Sequence, residues 1–530
     1  MARFKPYRKK QTMLLPPSLE DYVPASHLAR VVDGVVEALD TKEIEDKYSD
    51  LGQNTYHPKI QLKLLFYGYA TGNRSGRKIA QLCESDTAYI YLAQMYRPDF
   101  RTINDFRKNN LDQIKDYFVE VVRMCKELGM VKMGEISIDG TKIKANAAKR
   151  RTKDKKGYER WLEGIEERIQ EILQEAGEIE GQEDRLYGKD KRGDELPEEI
   201  RTKDKLRKKI KEVMKTLNTE KEKRNLTDPD ARFMRDGRGR IDINYNGQIA
   251  VSQDQVILAA EVINAPNDRG ALKEILEQAE ANIGEEMEEV IADSGYSSYD
   301  NYEYLEGRGK TGYIPDQYLN KIEKGEYRRE ENRYHAENFI YDKGKEIYIC
   351  PQGRELRVYE RRPAKRDKGE RKWRQVIYRG VGCGKCEVRE LCTKQKARTI
   401  AREERRELLE EMRERLLSKE GKAKYKKRLF TVEPPFGNIK HNLGYRSFLL
   451  RGLEKVDAEF KLMCIGLNLK KMYLAWRGKK KDGQKEIVNK EIRVFTESIS
   501  FLIDILRKSF FNSSCFECIQ ESNLARNVRL

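Results

Sequence analysis

The chain has 530 residues, more than one hydrophobic core usually organises, so roughly two to four units are expected. Lys and Arg number 106 against 89 Asp and Glu, a formal charge of +17, which favours a polyanionic partner, nucleic acid first, because each neutralised phosphate releases counterions. The alternative is a surface of sign-paired charge, since 37% of the residues are charged. No stretch approaches about eighteen uncharged apolar residues, and Met1-Ala2-Arg3-Phe4-Lys5-Pro6 leads into no signal-peptide core. A membrane protein is therefore not expected, and the cytoplasm is the expected compartment. In that reducing setting the nine cysteines point to metal rather than to disulfides wherever they cluster.

Residues 1–130 read as a helical N-terminal domain, with Leu28, Val31, Val32, Val35, Val36 and Leu39 at helical spacing. Ile60–Leu65, the turn Thr71–Gly76 and the segment Arg77–Leu82 suggest helix, turn, helix; its second helix begins with two bases and is a candidate to lie on DNA, or is one half of an ordinary solvated helix pair. At Glu135-Ile136-Ser137-Ile138-Asp139-Gly140 the pattern becomes that of a strand stopping at an acid. Residues 151–225 are charge-dense and carry two apolar stripes, Trp161, Leu162, Ile165, Ile169, Ile172 and Leu173, then Leu206, Ile210, Val213, Met214 and Leu217. With Gly177–Pro197 between them they predict an inserted helical hairpin.

Strand patterns resume in 226–335, at Ile241–Tyr245, Gln248–Val251 and Val256–Ile263. A helix carrying Leu272, Ile275, Leu276 and Ala279 precedes a strand that ends at Asp293, and Thr311–Pro315 makes a last strand. This order predicts an α/β fold with a mixed sheet flanked by helices. Strand ends in such a sheet converge, so Asp139 and Asp293 together suit a hard divalent cation such as Mg²⁺, provided a further carboxylate joins them; each alone also reads as a turn or cap residue.

Cys350, Cys383, Cys386 and Cys392 fall in a Cys-rich insert, 336–400, and their number suits a structural Zn²⁺ site; reduced free thiols and an iron-sulfur cluster are the alternatives. Cys515 and Cys518 have no second pair and read as free thiols. Val456, Phe460, Cys464 and Leu467 form a core stripe in the helical segment 401–476, and the bases at Arg477 and Lys479–Lys481 open a basic linker and tail, 477–530.

The third acid comes from Tyr425-Lys426-Lys427-Arg428-Leu429-Phe430-Thr431-Val432-Glu433-Pro434-Pro435, followed by Lys440. This block resembles the Y-R-E-K motif of DDE transposases. The resemblance extends to Ser137–Lys142, Ala292–Tyr296, Asp228–Arg232 and Pro98–Arg107, the last two being similar to the insertion-sequence 1182-type group. It runs from about Tyr56 to Trp476.

What the resemblance implies is an RNase H-like catalytic core, made of 131–150, 226–335 and the helical segment 401–476. Asp139, Asp293 and Glu433 would be its catalytic, metal-binding triad for Mg²⁺ or Mn²⁺ in a two-metal site, and Tyr425, Arg428 and Lys440 would approach DNA phosphates. It implies a DNA transposase acting on terminal inverted repeats and target DNA, a homodimer on DNA, and association with the nucleoid. The rivals are an RNase H-like nuclease without strand transfer and an inactive DNA-binding descendant. Four residues separate Arg428 from Glu433 where the motif has three, and one extra residue turns a helical side chain by roughly 100°. Pro434 and Pro435 fit a Glu433 that caps or begins a helix. His441 reads as surface.

Overall fold

The computed structural model describes residues 18–48, 55–187, 198–237, 239–323, 333–362, 366–367, 370–371 and 374–479. Six strands, β1 (Glu135–Lys144), β2 (Arg232–Arg235), β3 (Ile241–Ser252), β4 (Ile257–Ile263), β5 (Glu289–Ala292) and β6 (Thr311–Tyr313), form one mixed sheet in the order β2-β3-β1-β5-β6, with β4 also paired to β3. β1 is its spine, antiparallel to β3 and parallel to β5. Because side chains alternate along a strand, Ile136 and Ile138 enter the core while Ser137, Asp139 and Thr141 share the opposite face.

Two expectations about these strands are corrected. β1 does not stop at Asp139 but continues to Lys144; Asp139 lies mid-strand, where the parallel neighbour β5 ends, with Ile138 beside Ala292. Ile241–Tyr245 and Gln248–Val251 are not two strands but the single β3. Asn246-Gly247 makes no turn, because Gly247 stays extended to admit the Phe460 ring, which would lie 2.9 Å from a Cβ at that position.

The longer helices that precede the sheet are α1 (Leu28–Ala38), α2 (Pro58–Thr71), α3 (Gly76–Ser85), α4 (Phe100–Asn109) and α5 (Leu111–Glu127). Pro58 opens α2 and Gly72, at φ 89°, closes it, as expected of a residue free to adopt left-handed backbone. The helix-turn-helix expected at 60–82 thus has α2 as its first helix, but α2 is buried nearly all round, which makes it a core helix; α3 exposes Arg77 and Lys78. The N-terminal helices and the sheet share one apolar core, completed by α8 (Leu272–Ile283) and the C-terminal helix α13 (Leu453–Lys479), where Val456, Phe460, Cys464 and Leu467 are buried.

α6 (Lys155–Tyr187) and α7 (Glu198–Lys215) form a helical pair with a separate small core of Tyr158, Ile165, Ile169, Ile210, Val213 and Leu226. Leu173, expected in that stripe, is exposed. The cysteine-rich region carries a second, antiparallel sheet of β7 (Ile340–Asp342), β8 (Ile347–Ile349), β9 (Glu355–Arg362), β10 (Gln375–Gly380) and β11 (Thr399–Glu403), over a third core of Phe339, Tyr348, Leu356, Tyr378 and Ile400. α9 (Tyr299–Gly307) follows β5, and after the second sheet α10 (Arg406–Leu417), α11 (Lys419–Thr431) and the short α12 (Glu433–Gly437) lead back to the first sheet. No described helix is long and apolar enough to cross a membrane. Cys515, Cys518, Lys480 and Lys481 lie outside the described residues.

Candidate active site

The open face of β1 is read, residue by residue, by the chain between Lys419 and Asn442. Lys424 on α11 reaches Glu289 and, at 3.5 Å, Glu135. Thr431 donates to Ser137 Oγ at 2.9 Å, and Arg428 Nη2 lies 2.8 Å from Asp139 Oδ2. Beyond α12, Lys440 donates to Thr141 Oγ1 and, at 2.9 Å, to the Lys142 carbonyl. A strand with polar residues at alternate positions thus meets a helix whose cations and hydroxyl match them.

Asp139, Asp293 and Glu433 come together around the Arg428 guanidinium. Nη2 is 3.9 Å from Asp293 Oδ2 and Nη1 is 3.9 Å from Glu433 Oε1. Each aspartate is anchored through one oxygen: Asp139 Oδ1 accepts from the N–H of Gly140 and Asp293 Oδ1 from that of Gly295, both at 2.8 Å. The second oxygen of each, Oδ2, faces the shared space. Asp293 therefore is a turn-capping residue and a member of the cluster at once. Glu433 begins α12, directly before Pro434 and Pro435, and its side chain is half exposed. α11 ends at Thr431 and Val432 turns the chain, so the extra residue between Arg428 and Glu433 falls in a break between helices and does not rotate either side chain out of the cluster.

Burial raises the Asp139 carboxyl to about 6, opposed by Arg428 and reinforced by Asp293. Asp293 is raised too, by burial first, against Arg428, with Asp268 adding to the rise. Burial disfavours the Arg428 charge, but Asp139, Tyr425 and Asp293 around it more than offset this and its pKa stands above the usual value. Burial likewise raises the Tyr425 phenol. Lys440 is lowered, chiefly by burial. His441 is exposed.

Asp268 was not foreseen. It comes from the loop after β4 and packs on the other side of β1, accepting on Oδ1 from Lys142 Nζ at 3.0 Å, Asn246 Nδ2 at 2.6 Å and Gln248 Nε2 at 2.8 Å. Gln248 in turn accepts from the buried Tyr296 hydroxyl. A polar network so runs from the Asp293 turn, through Tyr296, under Gly140.

The donor chemistry of the carboxylates suits a hard cation: three acids surround one space, and the cation that stands there is Arg428, paired with Asp139 Oδ2 at 2.8 Å. Among the described residues no three His, Cys, Asp or Glu side chains stand at the spacing a bound metal needs, and here the Arg428 guanidinium lies among the three acids. In the second sheet Cys350, Cys383, Cys386 and Cys392 are all free thiols lining one apolar cavity of about 30 Å³, with Cys350 Sγ accepting from the Arg354 N–H at 3.3 Å. Burial raises the Cys392 thiol, and the other three thiols add to it.

Comparison with known families finds two transposase domains in the chain. Residues 17–109 match the family described as Transposase domain (DUF772), and residues 349–473 match the family described as Transposase DDE domain. Over these two stretches the chain is similar to transposases, and a DDE domain implies phosphoryl transfer with DNA as substrate. The second match holds Glu433, the Tyr425, Arg428 and Lys440 block and the four clustered cysteines; Asp139 and Asp293 lie between the two matches. Neither description names the insertion-sequence 1182-type group. No curated protein and no solved structure matches the chain.

Proposed function

We propose that this transposase cuts DNA at the terminal inverted repeats of an insertion sequence of the 1182-type group and joins the freed end to target DNA, with Asp139, Asp293 and Glu433 as its metal-holding triad. The observation that carries the reading is the convergence of these acids, from three segments remote in sequence, on one cation within 4 Å. The strand order supports an RNase H-like core: β3 runs antiparallel to both β1 and β4, and β5 and β6 follow parallel to β1.

Bound at the triad, a pair of Mg²⁺ or Mn²⁺ ions would supply an activated hydroxyl and neutralise charge on the leaving oxygen of a phosphodiester. The chain's own part is positional. The N–H groups of Gly140 and Gly295 fix one oxygen of each aspartate, so the other is presented without a conformational search. With metal held by the acids, Arg428 would be free to meet a DNA phosphate, beside Tyr425 and Lys440 on the DNA-facing side, and two copies of the chain would pair two element ends. In the second sheet the four thiols close on one Zn²⁺. Their cavity of about 30 Å³ has room for a single ion, and a tetrahedral thiolate site would tie together strands that have little apolar core of their own.

Asp139→Ala, Asp293→Ala and Glu433→Ala are each expected to lower metal-dependent cleavage of a labelled element end by 10³-fold or more (~4 kcal/mol of transition-state stabilisation) while the fold persists. Strand transfer of a pre-cut 3′-hydroxyl end, assayed with Mg²⁺ and Mn²⁺, separates a transposase from a nuclease. Full cleavage by any one variant removes that residue from the triad.

A further inference from the structure

The carboxylate site assigns no task to the helical pair inserted after β1. Along its length Arg168 pairs with Glu171, Lys203 with Glu199, and Arg207 with Glu166 and Asp204, and at its foot Lys155 pairs with Glu220 and Arg224 with Glu222. Four other cations at the foot stand apart from these pairs. Arg150, Arg151, Lys153 and Arg160, with Gly157 and Trp161, line an open groove of about 630 Å³, and among the described residues none of these four cations meets a carboxylate. Arg151 donates to Thr227 Oγ1 and Arg160 to the Lys156 carbonyl, each at 3.4 Å. The nearby Asp154 is occupied at the start of α6, accepting from the Gly157 N–H at 2.9 Å.

The groove is built on fixed parts. Trp161 stacks on Tyr158 with ring planes 6° apart and centroids 6.2 Å apart, and Lys153 Nζ lies 5.5 Å from the indole centre. Tyr158 is fully buried and its hydroxyl donates to the Arg224 carbonyl at 2.8 Å, while Asn225 ties Ala148 and Thr152 together beneath. Like charges gathered without counter-charge repel, and folding returns nothing for that cost; a polyanion laid in the groove does. An indole face beside a row of cations adds a stacking surface suited to a nucleotide.

We infer that this groove binds the backbone of a DNA strand, with phosphates against Arg150, Arg151, Lys153 and Arg160 and the Trp161 face taking a base or deoxyribose. This rests on the reading of the chain as a DNA-cutting enzyme. Arg150, the first of the groove's cations, follows the last residue of β1, Lys144, by six positions in the chain.

The test uses the full chain, without added metal, and a fluorescent duplex of about thirty base pairs of arbitrary sequence, because the phosphate contribution does not depend on sequence. With about 0.9 counterion released per phosphate contact, Arg150→Ala/Lys153→Ala/Arg160→Ala is expected to reduce the slope of log K against log salt by about 2.7 and to weaken binding at least tenfold. The emission of Trp161, isolated by Trp373→Phe and Trp476→Phe, is expected to be quenched by the duplex. A control with equal charge loss, Lys385→Ala/Lys394→Ala/Lys396→Ala, is expected to retain most of the slope. An unchanged slope in the groove variant, or an equal fall in the control, overturns the groove and leaves the carboxylate reading standing. Absence of duplex binding by the unmodified chain overturns both.

Discussion

Gly140 is required by its neighbours. A Cβ there would stand 2.4 Å from Gln248 Nε2 and 2.8 Å from Asp268 Oδ1, so no larger residue fits after Asp139 without opening the network that backs the site. Asp268 holds that network, and Asp268→Asn removes the charge facing Lys142 while keeping the volume. We expect it to lower cleavage by roughly tenfold to a hundredfold, as loss of a charge-assisted contact of about 1.5–3 kcal/mol would, with thermal unfolding little changed. Equal cleavage rates for the variant and the parent would make Asp268 a bystander. Asp268 was illegible in the sequence because Asn264-Ala265-Pro266-Asn267-Asp268-Arg269-Gly270 reads as an ordinary turn. Only the return of that loop under β1 gives its acid a partner. Asp293 was legible as an acid at a strand end, Asp139 as an acid after alternating apolar residues though it lies mid-strand, and Glu433 through the motif block. That Arg428 stands among all three was not, because a spacing in sequence does not say where a helix breaks.

Among the elements, α13 closes the outer edge of β4. Asn468 accepts from the Ile257 N–H at 3.0 Å and donates to its carbonyl at 2.9 Å, and Asp457 accepts from the Val262 N–H at 3.0 Å, so an edge strand is finished by side chains. The apolar stripe of α13 was visible in the sequence; that its polar residues complete a sheet was not. The second sheet went unseen for a related reason: most of β9 is exposed and charged, so no alternation marks it. On α5, Glu120 is raised to about 7 by burial, with Asp40 and Asp116 adding and Arg123 opposing. The folded chain thus holds this proton more tightly than the unfolded one, whose glutamate titrates at 4.5. Stability from it is full below pH ~4.5 and is lost as pH rises through ~7, a change of up to about 3 kcal/mol. Glu120→Gln is expected to raise the unfolding temperature at pH 8 and to leave it unchanged at pH 4.5. A pH-independent effect of the substitution would remove the titration.

At the scale of the whole molecule, three apolar cores are found among the described residues, and the largest of them joins distant parts of the chain. The small core behind β7–β11 is where the proposed zinc would matter most to folding. Purified protein is expected to carry near one equivalent of zinc, lost in Cys383→Ser/Cys386→Ser, and limited proteolysis of that variant should then cut first within 336–403 while the β1 sheet resists. Zinc-free protein with unchanged proteolysis would leave the four cysteines as plain thiols. The largest core has a different consequence, in time. Thr431 meets Ser137 across 294 positions of sequence, and at about 5–20 residues per second a ribosome needs roughly 15–60 s to supply the second partner after the first. Throughout that interval the nascent chain exposes one face of β1, joined by Asp293 only about halfway through, and it lacks Glu433 and the helix that meets that face. A copy interrupted anywhere before α11 therefore never completes the carboxylate cluster, and its N-terminal helices, deprived of α13, keep part of their apolar surface uncovered.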